Sequence, residues 1–206
     1  MNTALRLLCI GFLAFGLLGC EGLIPSLGGP PANLYTLTPK NTFAKGLPQA
    51  RWQLVVEEPL AAGGLNVDRI ALQATPTELK YFARARWTER APRMVQTLLV
   101  ESFENSGAII AVGRKAIGLR SDYNLITELR EFQAEYFDGA AVPTIRIRLN
   151  AKMVKQPRRA IVASGTFEAE VKAEGKEIRQ IIRAFDSALG KVLRHTVEWT
   201  IKTPGD

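Results

Sequence analysis

Three segments between Tyr123 and Val171 constrain this chain more than any other part of it. From Thr144 to Val154, Ile145, Ile147, Leu149, Ala151 and Met153 alternate with Arg146, Arg148, Asn150 and Lys152. Successive side chains of an extended backbone point to opposite sides, so this alternation means a strand with one buried and one wet face. Ala160 to Val171 repeats the pattern, with Ile161, Ala163, Phe167, Ala169 and Val171 opposite Ser164, Thr166, Glu168 and Glu170. Tyr123 to Tyr136 is a third β-rich stretch. The turns at Asp138-Gly139 and Gln156-Pro157 are short, which predicts an antiparallel meander.

Around this meander the periodicity changes. Met94, Val95, Leu98, Leu99 and Phe103 recur at three- and four-residue steps, the spacing of one helical face. Thr88 offers an N-cap, Pro92 is tolerated in the first turn, and Asn105-Ser106-Gly107 stops the helix. A second helix is expected from about Lys176 to His195, with an apolar stripe of Ile178, Ile181, Ile182, Phe185, Leu189, Val192 and Leu193. Shorter β-rich pieces precede the first helix: Leu34 to Leu37, Trp52 to Glu57, Arg69 to Ala74 and Glu78 to Ala85. Ala108 to Val112 follows it. The expected fold class is α+β, a mostly antiparallel sheet with two amphipathic helices packed on one face. It occupies residues 34–206 as a single domain.

The N-terminus decides where such a domain would live. Met1 to Arg6 carry one positive charge, and Leu7 to Leu18 is nearly all apolar. That run suits a signal-peptide core and falls short of the roughly 20 residues a bilayer-spanning helix needs. Leu17-Leu18-Gly19-Cys20 then has the form of a bacterial lipobox. Residues 1–19 read as a lipoprotein signal peptide, with Cys20 acylated after cleavage; the competing reading is an ordinary secretory signal with a chance cysteine. Residues 20–33, rich in Gly and Pro, read as a flexible tether. Cys9 leaves with the signal, so Cys20 is the one mature cysteine, and no disulfide or cysteine metal cluster can form within the mature chain. The net charge of +7 favours anionic surfaces, and export removes nucleic acid from the candidate partners.

Residues with chemistry to offer are few. His195 is the single histidine, and no G-x-S-x-G elbow, H-E-x-x-H pair or phosphate loop accompanies it. Glu57-Glu58 point to opposite sides of a strand, and Glu101 and Glu104 lie on a helix surface. The expectation is therefore a protein that is not an enzyme and holds no metal or cofactor beyond the covalent lipid on Cys20. Two basic constellations remain. One is Tyr81-Phe82-Ala83-Arg84-Ala85-Arg86-Trp87, where Arg84, Arg86 and Trp87 are candidate contacts for a partner or for lipid headgroups. Its competing reading is Trp87 anchoring the core with the arginines solvated. The other is the Arg146/Arg148/Lys152 face, extended by Arg158-Arg159 at the next turn, with Arg146 and Arg148 as candidate contacts; it is either an interaction surface or a wet strand face that blunts edge pairing.

In their order along the chain, these pieces resemble the ABC-type transport auxiliary lipoprotein family (PqiC-like). The resemblance is carried by Tyr35-Thr36-Leu37, Val55-Val56-Glu57-Glu58-Pro59, Asp68-Arg69-Ile70 and Tyr81 to Trp87 with Pro92. It continues through Ser106-Gly107, Asp122-Tyr123-Asn124-Leu125, Glu128 to Phe132, Val162 to Phe167, Ala184-Phe185, Ala188 and Trp199. It implies a non-enzymatic periplasmic component of an MCE-type lipid transport system, working beside an ATPase, a permease and an MCE-domain protein. Glu21, rather than Asp, after the lipidated cysteine points to the outer membrane over the inner one. Two other functions stay open at this point: a direct lipid carrier with a pocket between helices and sheet, and a structural or regulatory lipoprotein of envelope assembly. Exposed strand edges would also allow a homo-oligomer.

Overall fold

In a computed structural model of the chain, residues 31–115 and 120–203 are described. The first strands are β1 (Asn33–Tyr35), β2 (Ala50–Val56), β3 (Leu60–Ala61), β4 (Arg69–Thr75) and β5 (Glu78–Trp87). Helix α1 (Ala91–Ser106) and β6 (Ile109–Arg114) come next. The long strands β7 (Tyr123–Glu135), β8 (Thr144–Lys155) and β9 (Ala160–Lys172) then lead to helix α2 (Ile178–Lys202). Signal peptide, Cys20 and most of the tether lie outside the described residues.

β7 is the spine of a nine-stranded sheet. One edge pairs antiparallel with β8 along its length, and β8 pairs antiparallel with β9. The other edge takes three short strands in series, all parallel to it: β2 at Tyr123 to Leu125, β3 at Glu128 and Leu129, β4 at Gln133 to Glu135. Beyond them β6 joins β2 in parallel, β5 joins β4 antiparallel, and β1 joins β5 in parallel. The meander is as expected, but the mostly antiparallel sheet is not. Parallel pairings outnumber antiparallel ones, and the class is α+β with a mixed sheet. The reason is connectivity. Parallel neighbours need a long crossover, and α1 lies in the one between β2 and β6.

Both helices cover one face. The set Ile145, Ile147, Leu149, Ala151 and Met153 is fully buried and joins the helices' apolar residues in one cluster. At its centre three rings meet, from β5, β7 and α2: Trp87 and Phe185 at 5.3 Å, Phe132 and Phe185 at 5.4 Å, Trp87 and Phe132 at 5.6 Å. Burying each such side chain stabilises the fold by about 2–3 kcal/mol.

The helix ends refine the expectations. The N-cap position of α1 is Arg90, not Thr88, and its side chain makes no capping bond; Pro92 sits in the first turn, where amides have no helical acceptor. It ends as expected at Gly107, whose φ of 61° is left-handed. α2 begins with a capping box of Glu177 and Gln180 and runs to Lys202, a turn or two beyond the expected end at His195. It continues because Val197 and Ile201 keep to the buried face. The hydroxyls of Thr196 and Thr200, fully buried, donate back to the carbonyls of Val192 and Thr196, each at 2.8 Å.

The extended chain after β1 straps the two helices together. The Thr38 amide donates to Asp186 Oδ1 at 2.7 Å, and the Ala44 amide to Glu198 Oε1 at 2.9 Å, both on α2. Between them the Lys40 amide donates to Ser102 Oγ of α1 at 2.9 Å.

Candidate functional site

The sheet face away from the helices carries the polar features. There Arg148 pairs across strands with Glu131 of β7 and Glu168 of β9, and Arg146 with Gln133 and Glu170. Arg146 Nε donates to Glu135 Oε1 at 3.1 Å, and its Nη2 to Glu170 Oε1 at 2.6 Å. Arg148 Nη2 lies 2.6 Å from Glu131 Oε1. Burial works against the Arg146 charge, but the bonded Glu135 carboxylate, with Glu170 and Glu131 nearby, outweighs it and raises the guanidinium pKa. Around Arg146 and Arg148 the anticipated basic face is thus a ladder of both signs, with these two cations engaged. Cross-strand opposite charges favour this register, which like charges would penalise.

Beside the ladder opens a groove of about 500 Å³. Buried Gln133 and Glu135 with Arg146 form its polar floor, and Leu65, Pro76, Leu79 and Phe137 line the rest. Glu135 is 7% exposed, Gln133 Nε2 donates to its Oε1 at 3.1 Å, and Gln133 Oε1 accepts from the Phe132 backbone N–H at 2.7 Å. The ladder between β7 and β8 shifts register between Leu129 and Glu131, and Arg130, within that shift, reaches the groove. Sequence reading missed this floor because a bulge resets the alternation that would have revealed it.

The other constellation divides in two. Pairing of β4 with β5 jumps from Ala71↔Tyr81 to Arg69↔Arg86, so several β5 residues bulge between these points. A strict alternation, which would set Tyr81, Ala83, Ala85 and Trp87 on one side, is broken there: Ala83 is exposed while Ala85 and Trp87 are buried. Trp87 is 1% exposed inside the three-ring cluster and leaves the set of candidate surface contacts. Arg84 and Arg86 stay exposed; Arg86 Nη1 pairs with Asp68 at 3.0 Å. Tyr81 packs under the guanidinium of Arg69, 3.8 Å from the ring centroid, and donates its hydroxyl to the Gly64 carbonyl.

The remaining candidates are quickly placed. His195 is exposed on α2, with Nε2 3.4 Å from Arg194 Nη2. Among the described residues no group of His, Cys, Asp and Glu could hold a metal ion, and no helix is long and apolar enough to cross a membrane. The interface between helices and sheet, where a lipid pocket was envisaged, is filled by Met94, Leu99, Phe103, Phe132 and Phe185.

With this geometry in hand, similarity to known proteins is informative. The ABC-type transport auxiliary lipoprotein component family matches over residues 35–196. Protein XCC0632 from Xanthomonas campestris, a crystal structure assigned to DUF330, is 35% identical, with a TM-score of 0.78 over 84% of this chain and 96% of that one. An uncharacterized protein of known structure shares the fold at 15% identity and a TM-score of 0.66, over 83% of this chain and 99% of its own. Uncharacterized protein bll6063 of Bradyrhizobium diazoefficiens is 31% identical over 179 residues, 84% of this chain and 47% of that protein. The chain therefore spans about half the length of that relative.

Proposed function

The chain belongs to the ABC-type transport auxiliary lipoprotein component family, and from that premise we propose that it is a lipid-anchored, non-enzymatic adaptor of an MCE-type lipid transporter. In this reading acylated Cys20 holds the domain in the periplasm, on the outer membrane given Glu21, and the domain docks onto the MCE-domain protein. The observation that carries it is the family match, which covers the first helix, the whole meander and the second helix as far as residue 196. Two features support it. The lipobox supplies the anchor, and the single histidine faces solvent beside a cation, an arrangement without an oriented base–nucleophile pair.

Capture of the full-length acylated protein from its own envelope in mild detergent tests the reading. Recovery of an MCE-domain protein with a permease and an ATPase is the expected result. Recovery of envelope-assembly proteins without any of these subunits overturns it.

A further inference from the structure

β1 is parallel to β5, with Asn33 opposite Ala85, Leu34 opposite Arg86 and Tyr35 opposite Trp87. The chain therefore enters the domain beside Arg84, running along the bulged part of β5. Eleven residues separate Cys20 from Ala32. Even fully extended, that stretch keeps an acyl anchor within about 40 Å of this edge.

The surface at this edge suits a lipid–water boundary. Leu34 is 63% exposed, and Phe82 is half-buried. Arg69, Lys80, Phe82 and Arg86 line a shallow cleft of about 510 Å³. Arg84 stands exposed beside it, with no ion pair among the described residues. Two acids are present: Glu78, 2.8 Å from Lys80, and Asp68, 3.0 Å from Arg86. Both pairs are open to water, so they hold their cations weakly, and four cations against two carboxylates leave the patch positive. Apolar and aromatic side chains beside arginine and lysine match what a membrane interface accommodates, rings at headgroup depth and long cations reaching phosphates. A juxtamembrane basic cluster is drawn to anionic lipid over about a Debye length, well within the reach of the tether.

We propose that the β1–β5 edge, with Leu34, Arg69, Lys80, Phe82, Arg84 and Arg86, is the face the domain lays on the anionic phospholipid surface that holds its Cys20 anchor. This rests on the acylation of Cys20 and fixes the orientation of the domain: the β9 edge, five strands away across the sheet, faces away from the bilayer.

The cysteine content of the mature chain makes the test clean. With Cys20 acylated, one introduced cysteine labels uniquely. Full-length acylated protein is reconstituted into phosphatidylcholine vesicles with and without phosphatidylglycerol, carrying a fluorophore at Ala83→Cys or Ser164→Cys, both exposed positions. A headgroup-located quencher should quench the Ala83 site several-fold more than the Ser164 site in phosphatidylglycerol vesicles. High salt, or the pair Lys80→Glu and Arg84→Glu, should remove most of that difference. Equal quenching at the two sites, or a difference that ignores lipid charge, salt and charge reversal, overturns the proposal. Flotation of Cys20→Ser with the phosphatidylcholine vesicles, to which the basic face is not drawn, reports on the anchor separately. Its release supports acylation, and its retention undermines acylation while the quenching comparison still judges this face.

Discussion

The two faces of β8 are one residue apart and rest on different physics. On the helix side Ile145, Ile147, Leu149, Ala151 and Met153 are all fully buried in one continuous core. On the other side Arg146, Arg148, Asn150 and Lys152 meet partners of changing polarity on β7 and β9, from Glu131 and Glu170 to Ser164. The buried face is specified by volume and by exclusion of water. The wet face is specified by which charge lies opposite which, information carried by three strands together.

The comparison breaks most visibly at the aromatic cluster. Phe132→Ala removes the ring shared by Trp87 and Phe185 and leaves a cavity against rigid neighbours. A loss of about 3–5 kcal/mol is expected in urea unfolding. A loss under about 1 kcal/mol would mean that the helix layer packs loosely and that the buried face is not the source of cohesion.

Arg146→Met is the corresponding cut on the polar face. It strands Glu135, which is 7% exposed and, among the described residues, is otherwise reached only by the Gln133 side-chain amide. The expected cost is about 1–3 kcal/mol, from the desolvated carboxylate left without its cation. Adding Glu135→Leu to Arg146→Met should restore a substantial part of that stability, because the unpaired charge is then gone. If the double variant is as unstable as the single one, the ladder contributes by packing rather than by charge.

The same contrast explains how much was legible in the sequence. Hydropathy periodicity and β-rich composition are local signals, and they located β7, β8, β9 and both helices. Parallel pairing is not local. β2 meets β7 some seventy residues later in the chain, and nothing in the apolar content of Leu54, Val55 and Val56 names that neighbour. The partners of the basic face stayed hidden for a related reason. Arg146 and Arg148 were visible, and so were Glu168 and Glu170, but only the register of β8 against β9 sets them opposite each other. Counting back from the Gln156-Pro157 turn would have come close, since the two strands pair almost residue for residue. In β5 a period of two holds over Arg84, Ala85, Arg86 and Trp87, which sets Trp87 inside with the arginines outside, but the bulge shifts the side taken by the residues before them, and Ala83 faces solvent. The groove floor of Gln133 and Glu135 went unnoticed for the same cause at Arg130.

Smaller effects grade the wet face. Glu170→Ala removes the outer partner of Arg146, a carboxylate whose side chain is 52% exposed. Water screens the pair and Glu135 still holds the guanidinium, so a loss below about 1 kcal/mol is expected. A loss matching that of Arg146→Met would show that the ladder acts as one cooperative unit.

Lys152→Ser should matter least. Its side chain is exposed, and its neighbours across the strands are Ile126 and Ser164, neither a carboxylate. Serine keeps a polar group on the wet side, and the backbone ladder to both strands is untouched. A change within about 0.5 kcal/mol is expected in the same urea titration. One residue further, Met153→Ser places a hydroxyl at a fully buried site and should cost several times more, in proportion to the volume and desolvation lost. Similar losses at these two adjacent positions would contradict the division of labour between the faces, since the sheet would then be sensitive to the strand itself rather than to the side on which a residue lies.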